Sequence, residues 1–172
     1  MAEKLAKSLI GMMGGLLSLS FGKQLIVFII SMLPILELRG GLIAASLLKL
    51  PPLESYIIAI VGNVIPVPFI LLLINKILRA MEKSRFKLFN GIHSFLHKKI
   101  MKNKDSIEKY GFWGLVIFVG IPLPGTGAWT GAIIAAFLEM DRKKAFLGIL
   151  LGMLMASIIM MIISFGLISK VA

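Results

Sequence analysis

Apolar residues run through this chain in long blocks, and the polar positions fall between the blocks or at two interruptions inside them. Residues 55–78 and 145–168 each read as one long apolar helix, and the second stretch carries no charged residue. About 20 apolar residues suffice to cross roughly 30 Å of hydrocarbon. Two further blocks are broken. The first breaks at MLPILELRGG (Met32 to Gly41), the second at IPLPGTGAWTG (Ile121 to Gly131). The limbs on either side of each break are too short to reach across a bilayer at 1.5 Å per residue.

The two halves share an order of features. Each has an aromatic–Gly start (Phe21–Gly22, Tyr110–Gly111), a short limb, a Pro/Gly break, a second limb, a turn and a long apolar helix. LIAASLLKL at 42–50 aligns over IIAAFLEMD at 133–141, and SYIIAIVG at 55–62 over AFLGILLG at 145–152. Irregular backbone at membrane depth is tolerated where protein buries it or where it lines a polar cavity. The pattern therefore predicts an all-α integral membrane protein. Its core is an inverted repeat of re-entrant hairpin plus transmembrane helix, with an additional N-terminal helix. One membrane domain covers 1–172: the N-terminal helix at 1–20, a first repeat at 21–78, a basic linker at 79–109 and a second repeat at 110–170. Retention of the N-terminal segment is preferred over cleavage or an interfacial position, and Gly11 and Gly15 suit close helix packing.

Composition agrees, with 58% hydrophobic residues and a mean hydropathy of +0.97. The net charge of +11 sits between apolar blocks, which points to the positive-inside rule rather than to nucleic acid. Ten Lys/Arg between Lys76 and Lys109 put the linker on the cytoplasmic side of the membrane. Within it Phe89, Ile92, Leu96 and Ile100 form an amphipathic helix for anionic lipids. Arg142, Lys143 and Lys144 follow the second break. They return to the linker's side only if that break is the tip of a re-entrant hairpin.

Glu37 and Arg39 are the charges inside the block 25–48, and intramembrane charges are functional candidates. Gly40 and Gly41 let a ligand or backbone come close. Thr126 and Thr130 supply hydroxyls, Gly125, Gly127 and Gly131 keep the tip slim, Trp129 packs or meets a lipid chain, and Asn63 caps a hairpin carbonyl or touches the substrate. His93 and His97 are four apart but lack a third ligand, so no metal and no cofactor is expected. Motifs for hydrolases and nucleotide binding are missing, which argues against an enzyme.

ELRGG together with PLPGTGAWTGA resembles the small multidrug export family of prokaryotic membrane proteins, over about Phe21 to Ile168. That family is distantly similar to the DedA/VTT superfamily, whose members carry paired re-entrant hairpins and are implicated in moving phospholipids or polyprenyl phosphates. The resemblance implies site roles for Glu37, Arg39, Gly40, Pro122, Pro124, Gly125 and Thr126. The second break departs from the DedA pattern in having no acid or Arg of its own.

Three functions follow. The first is a transporter or scramblase for an anionic lipid phosphate held by Arg39. The second is a proton-coupled exporter of small, cationic compounds in which Glu37 alternates between proton and substrate. The third is a non-transporting scaffold. Expected partners are membrane lipids, a coupling proton or sodium ion, and a second copy of the chain.

Overall fold

A computed structural model describes residues 2–82, 110–123 and 125–167. The amphipathic linker helix, His93, His97 and Pro124 lie outside the described residues. In chain order the helices are α1 (Ala2–Met12), a 3-10 turn (Gly14–Ser18), α2 (Gly22–Met32), α3 (Glu37–Leu47), α4 (Pro52–Val64) and α5 (Pro66–Glu82). They are followed by α6 (Tyr110–Gly120), α7 (Ala128–Phe137), α8 (Arg142–Met161) and a π-helical end (Ile162–Leu167). No strand occurs among the described residues.

Two helical runs are long and apolar enough to cross a membrane, Pro52–Ile74 with 23 residues and Arg142–Gly166 with 25, both at mean hydropathy 2.7. Only 44% and 39% of their most apolar windows are buried inside the chain. A soluble core helix of that hydropathy would be mostly covered. Here Ile57, Val61, Ile65 and Phe69 form an exposed apolar stripe at four-residue spacing, and Leu147, Leu151, Ile158 and Ile162 lie exposed along the other run. A helix apolar on its outer face as well as its inner one matches hydrocarbon surroundings.

The short limbs fold back on one another. A side chain at Gly41 on α3 would meet Ser31 and lie 3.4 Å from the Val27 carbonyl on α2, and one at Gly131 on α7 would lie 2.6 Å from Val119 on α6. In a kinked continuous helix these positions would be far apart along the axis. Each break is therefore the tip of a helical hairpin.

The halves correspond bond by bond. The end of α3 is closed by Lys49 N–H to Ser46 O (3.1 Å) and Leu50 N–H to Ala45 O (3.0 Å). The end of α7 is closed by Glu139 N–H to Ala136 O (3.2 Å) and Met140 N–H to Ala135 O (3.0 Å). Both are Schellman closures, with the non-glycine residues Lys49 (φ +56°) and Glu139 (φ +53°) in the left-handed position. Gly62 on α4 and Gly152 on α8 are likewise paired. A Cβ at Gly62 would stand 2.8 Å from Phe28 O on α2, and one at Gly152 would stand 2.7 Å from Val116 O on α6. The register between α3 and α7 is thus 90, the separation of Asn63 and Met153. It is one less than the alignment of residues 42–50 gives, because apolar identities are degenerate while capping bonds are not.

Helices α4 and α8 are antiparallel. Asn63 donates to Met153 Sδ (3.3 Å). Further toward the start of α4, Tyr56 OH lies 3.2 Å from Ser157 Oγ, further toward the end of α8. The cores follow the same rule. Ala59 shares one cluster with α1, α2, α3, Ala156 and Met160. Val67, Ile70 and Leu71 share the other with α6, α7, Ala145 and Ile149. Each long run therefore crosses from one core into the other. Gln24 bonds Glu54 (2.9 Å), so the first hairpin opens at the start of α4. Phe112 lies against Gly148, so the second opens at the start of α8, the opposite end.

The N-terminal segment holds a correction. Helix α1 ends at Met12 and the chain turns, so Gly11 and Gly15 do not share one helix face, and a Cβ at either meets nothing within 4 Å. The close small-residue packing is found instead at Gly41, Gly62, Gly131 and Gly152. Gly152→Ala should therefore lower the melting temperature in detergent, at a cost of about 1–3 kcal/mol for overpacking against backbone. Gly11→Ala should leave it unchanged or raise it, since alanine is the better helix former. Equal melting temperatures for the two variants would contradict this packing.

Candidate functional site

The two hairpin tips meet. Helix α7 begins after Gly127, which has no side chain to cap it, and its first N–H groups need acceptors. Glu37 supplies them from the other half of the chain: Oε2 accepts from Ala128 N–H (3.2 Å) and Oε1 from Trp129 N–H (3.1 Å). A carboxylate at a helix N-terminus is also favoured by the helix dipole. Glu37 is 5% exposed and sits in the left-handed region at φ +51°, an uncommon backbone state for a residue with a Cβ.

Arg39 reaches the same loop. It donates to Leu123 O, to Thr126 O (2.7 Å) and to Thr126 Oγ1 (3.0 Å). The planar guanidinium suits several acceptors at once. Thr126 Oγ1 also lies 2.8 Å from Ile121 O and 2.9 Å from Leu123 O, and so ties the loop to itself. In return, Trp129 Nε1 donates to Met32 O (3.2 Å), one of the carbonyls left open at the end of α2. Arg39 and Trp129 are equivalent positions of the two repeats, and each donates to the backbone of the other repeat's break.

Gly127 makes the contact possible. Its φ is +132°, and a Cβ there would stand 2.8 Å from the Glu37 carboxyl carbon and overlap its oxygens. Behind this junction lies a cavity of about 10 Å³, lined by Glu37, Arg39, Asn63, Gly127 and Met153 among others. Glu37 pairs with Gly127, and Asn63 with Met153, across the 90-residue register. The cavity therefore straddles the approximate two-fold relation between the halves, and its polar groups come from the first half. Asn63 is 2% exposed, and its Oδ1 has no hydrogen-bond partner among the described residues.

Of the positions singled out from sequence, Glu37, Arg39, Thr126, Trp129 and Asn63 come together. Gly40 and Gly41 do not open space for a ligand: a Cβ at Gly40 would meet Leu36 one turn earlier at the tip, and one at Gly41 would meet Ser31 on α2, so Gly41 serves hairpin packing and Gly40 the turn onto Leu36. Gly125 (φ +89°) makes the exposed turn, Pro122 is half-buried beside it, and Thr130 is buried in α7. Gly127, one of the glycines that keep the tip slim, has the closer task of admitting the Glu37 carboxylate. Met153 was not evident from sequence, and extending the alignment of 55–62 with 145–152 by one residue would have found it.

A helical chain with two apolar runs of membrane-crossing length and a polar junction between two helical hairpins points to the class of membrane proteins. Residues 37–159 match the family described as "Putative small multi-drug export protein", and the chain belongs to that family. No curated protein and no solved structure gives a significant match.

Proposed function

We propose that the protein is a proton-coupled exporter of small cationic compounds, with Glu37 as the group that exchanges proton for substrate. The family description supports export. The observation that carries the reading is the buried Glu37 carboxylate, which joins the two breaks by capping α7 beside a cavity between the halves. A proton or a cation on Glu37 competes with the α7 N–H groups, so loading the carboxylate loosens the junction. A load that opens a contact between two halves is the requirement for alternating access. The lipid-phosphate reading is less well supported, because Arg39 has donors committed to Leu123 and Thr126.

In this reading the two hairpins are re-entrant, one from each face, and α4–α5 and α8 cross in opposite directions. The linker 79–109 is cytoplasmic. The chain has no cysteine, so single cysteines report topology directly. Cysteines at Lys104 and Lys143 should react with impermeant reagent from one side and a cysteine at Lys49 from the other. Reaction at 104 and 143 from opposite sides would remove the re-entrant arrangement.

The functional test is ethidium uptake into proteoliposomes with an acidic lumen. Wild type should accumulate the dye, and collapse of the pH gradient should abolish accumulation. Glu37→Gln should fall to the protein-free background while remaining folded. Flip of labelled phospholipid without dye transport would overturn the exporter reading in favour of lipid transport.

A further inference from the structure

The cavity at the junction has room for about one water molecule. Its lining includes Asn63, whose buried amide oxygen has no partner among the described residues, and Glu37, whose carboxylate the proposed exchange must protonate. A buried acceptor left unpaired is costly, and ordered water is the usual remedy where a polar site has the space. We propose that one water sits on Asn63 Oδ1 and carries the proton to Glu37. The inference deepens the exporter reading and rests on it.

The geometry gives the water a defined job. Glu37 is buried, so bulk solvent does not reach its carboxylate directly. The water gives a proton to a Glu37 oxygen as it takes one from the solvent side. Glu37 passes from carboxylate to acid, and the water is regenerated. Once protonated, the acid is a weaker acceptor for Ala128 and Trp129 N–H. The proton therefore arrives at the point where it loosens the contact. Arg39 is the other charged group in the lining. The charged residues of the elements packed on α3 lie outside it: Lys4 and the exposed Glu3–Lys7 pair of α1, Lys23 of α2, Glu54 of α4, and Arg142, Lys143 and Lys144 of α8.

The remainder of the cavity explains why the relay is one-sided. The repeat positions equivalent to Glu37 and Asn63 are Gly127 and Met153, which offer no proton acceptor of comparable strength. Asn63 Nδ2 is held by Met153 Sδ, which leaves the amide oxygen for the cavity. The amide is thus oriented by its own repeat mate.

Time-resolved infrared spectroscopy of the full chain after a pH jump tests this without a transport assay. The carboxylic acid C=O band of Glu37 is assigned by its loss in Glu37→Gln. In wild type its rise should accompany a water O–H band that shifts in oxygen-18 water. Asn63→Leu removes the acceptor, Ala156→Val fills the cavity from α8, and either should slow protonation of Glu37 by about tenfold or more, as loss of a positioned proton carrier does. Asn63→Ser, which still offers an oxygen, should stay near wild type. If Asn63→Leu fails to fold, Ala156→Val decides. Unchanged protonation rates in a folded Asn63→Leu or Ala156→Val protein would overturn the relay and leave the exporter reading standing. A wild-type protein whose Glu37 band never appears between pH extremes would overturn both.

Discussion

Alanine at position 127 is expected to part the two hairpin tips. The backbone there has φ +132° and ψ −173°, a region that is essentially glycine's alone and costs other residues about 1–3 kcal/mol. The new Cβ would also occupy the space of the Glu37 carboxyl. Displacing that group removes two charge-assisted hydrogen bonds to the start of α7, each contributing about 1.5–3 kcal/mol. The combined loss should be about 4 kcal/mol or more, read as a large fall in melting temperature in detergent. The effect should be coupled to Glu37. In a Glu37→Ala background the same change should cost only its backbone part, a difference of about 3 kcal/mol or more in a double-mutant cycle. Full additivity would mean that Gly127 is needed for its φ alone and that the carboxylate is not held where the structure places it.

The second large effect is expected at Arg39. Removing the guanidinium takes the Arg39 donor from Thr126 O and one of several donors from Leu123 O, and loosens the loop that Thr126 organises. Arg39→Ala should cost about 3 kcal/mol, on the scale of lost charge-assisted bonds. Arg39→Lys should recover part of it, since an ammonium keeps the charge and loses the fork. Thr126→Val should destabilise in the same direction, and combining it with Arg39→Ala should add little, because both act on one network. A folded Arg39→Ala protein of wild-type stability would show that the loop is fixed by other contacts.

Much of this arrangement could be read from the chain. Two charges inside the block 25–48 marked Glu37 and Arg39, and two Pro/Gly interruptions marked the hairpin tips. The pairing across the tips could not be read. Glu37 finds its partners 91 and 92 residues away in backbone N–H groups, and Arg39 finds its own in carbonyls 84 and 87 residues away. Backbone groups carry no sequence signature, so a charge that they satisfy looks like a charge awaiting a ligand. The same blindness made Gly40 and Gly41 resemble ligand approaches, when Leu36 and Ser31 already fill the space beside them. The internal repeat was visible as an order of features. Its register of 90 was legible in the long helices, from 55–62 over 145–152, and was missed by one at 42–50, where apolar identities are degenerate. Gly11 and Gly15 misled for a simpler reason: their spacing implies one helix, and the chain turns after Met12.

The central claim is that the Glu37 carboxylate holds the two tips together and that loading it releases them. The exposed tips carry Ile35 and Leu123, and the absence of native cysteines permits spin labels at these two positions alone. The distance distribution between them, recorded in lipid nanodiscs at alkaline and acidic pH, is the direct measurement. The account predicts one short, narrow distance at alkaline pH. It predicts a second, longer population at acidic pH, with Glu37→Gln showing that longer population at both. A single unchanged distance across the pH range, identical in wild type and Glu37→Gln, would contradict it.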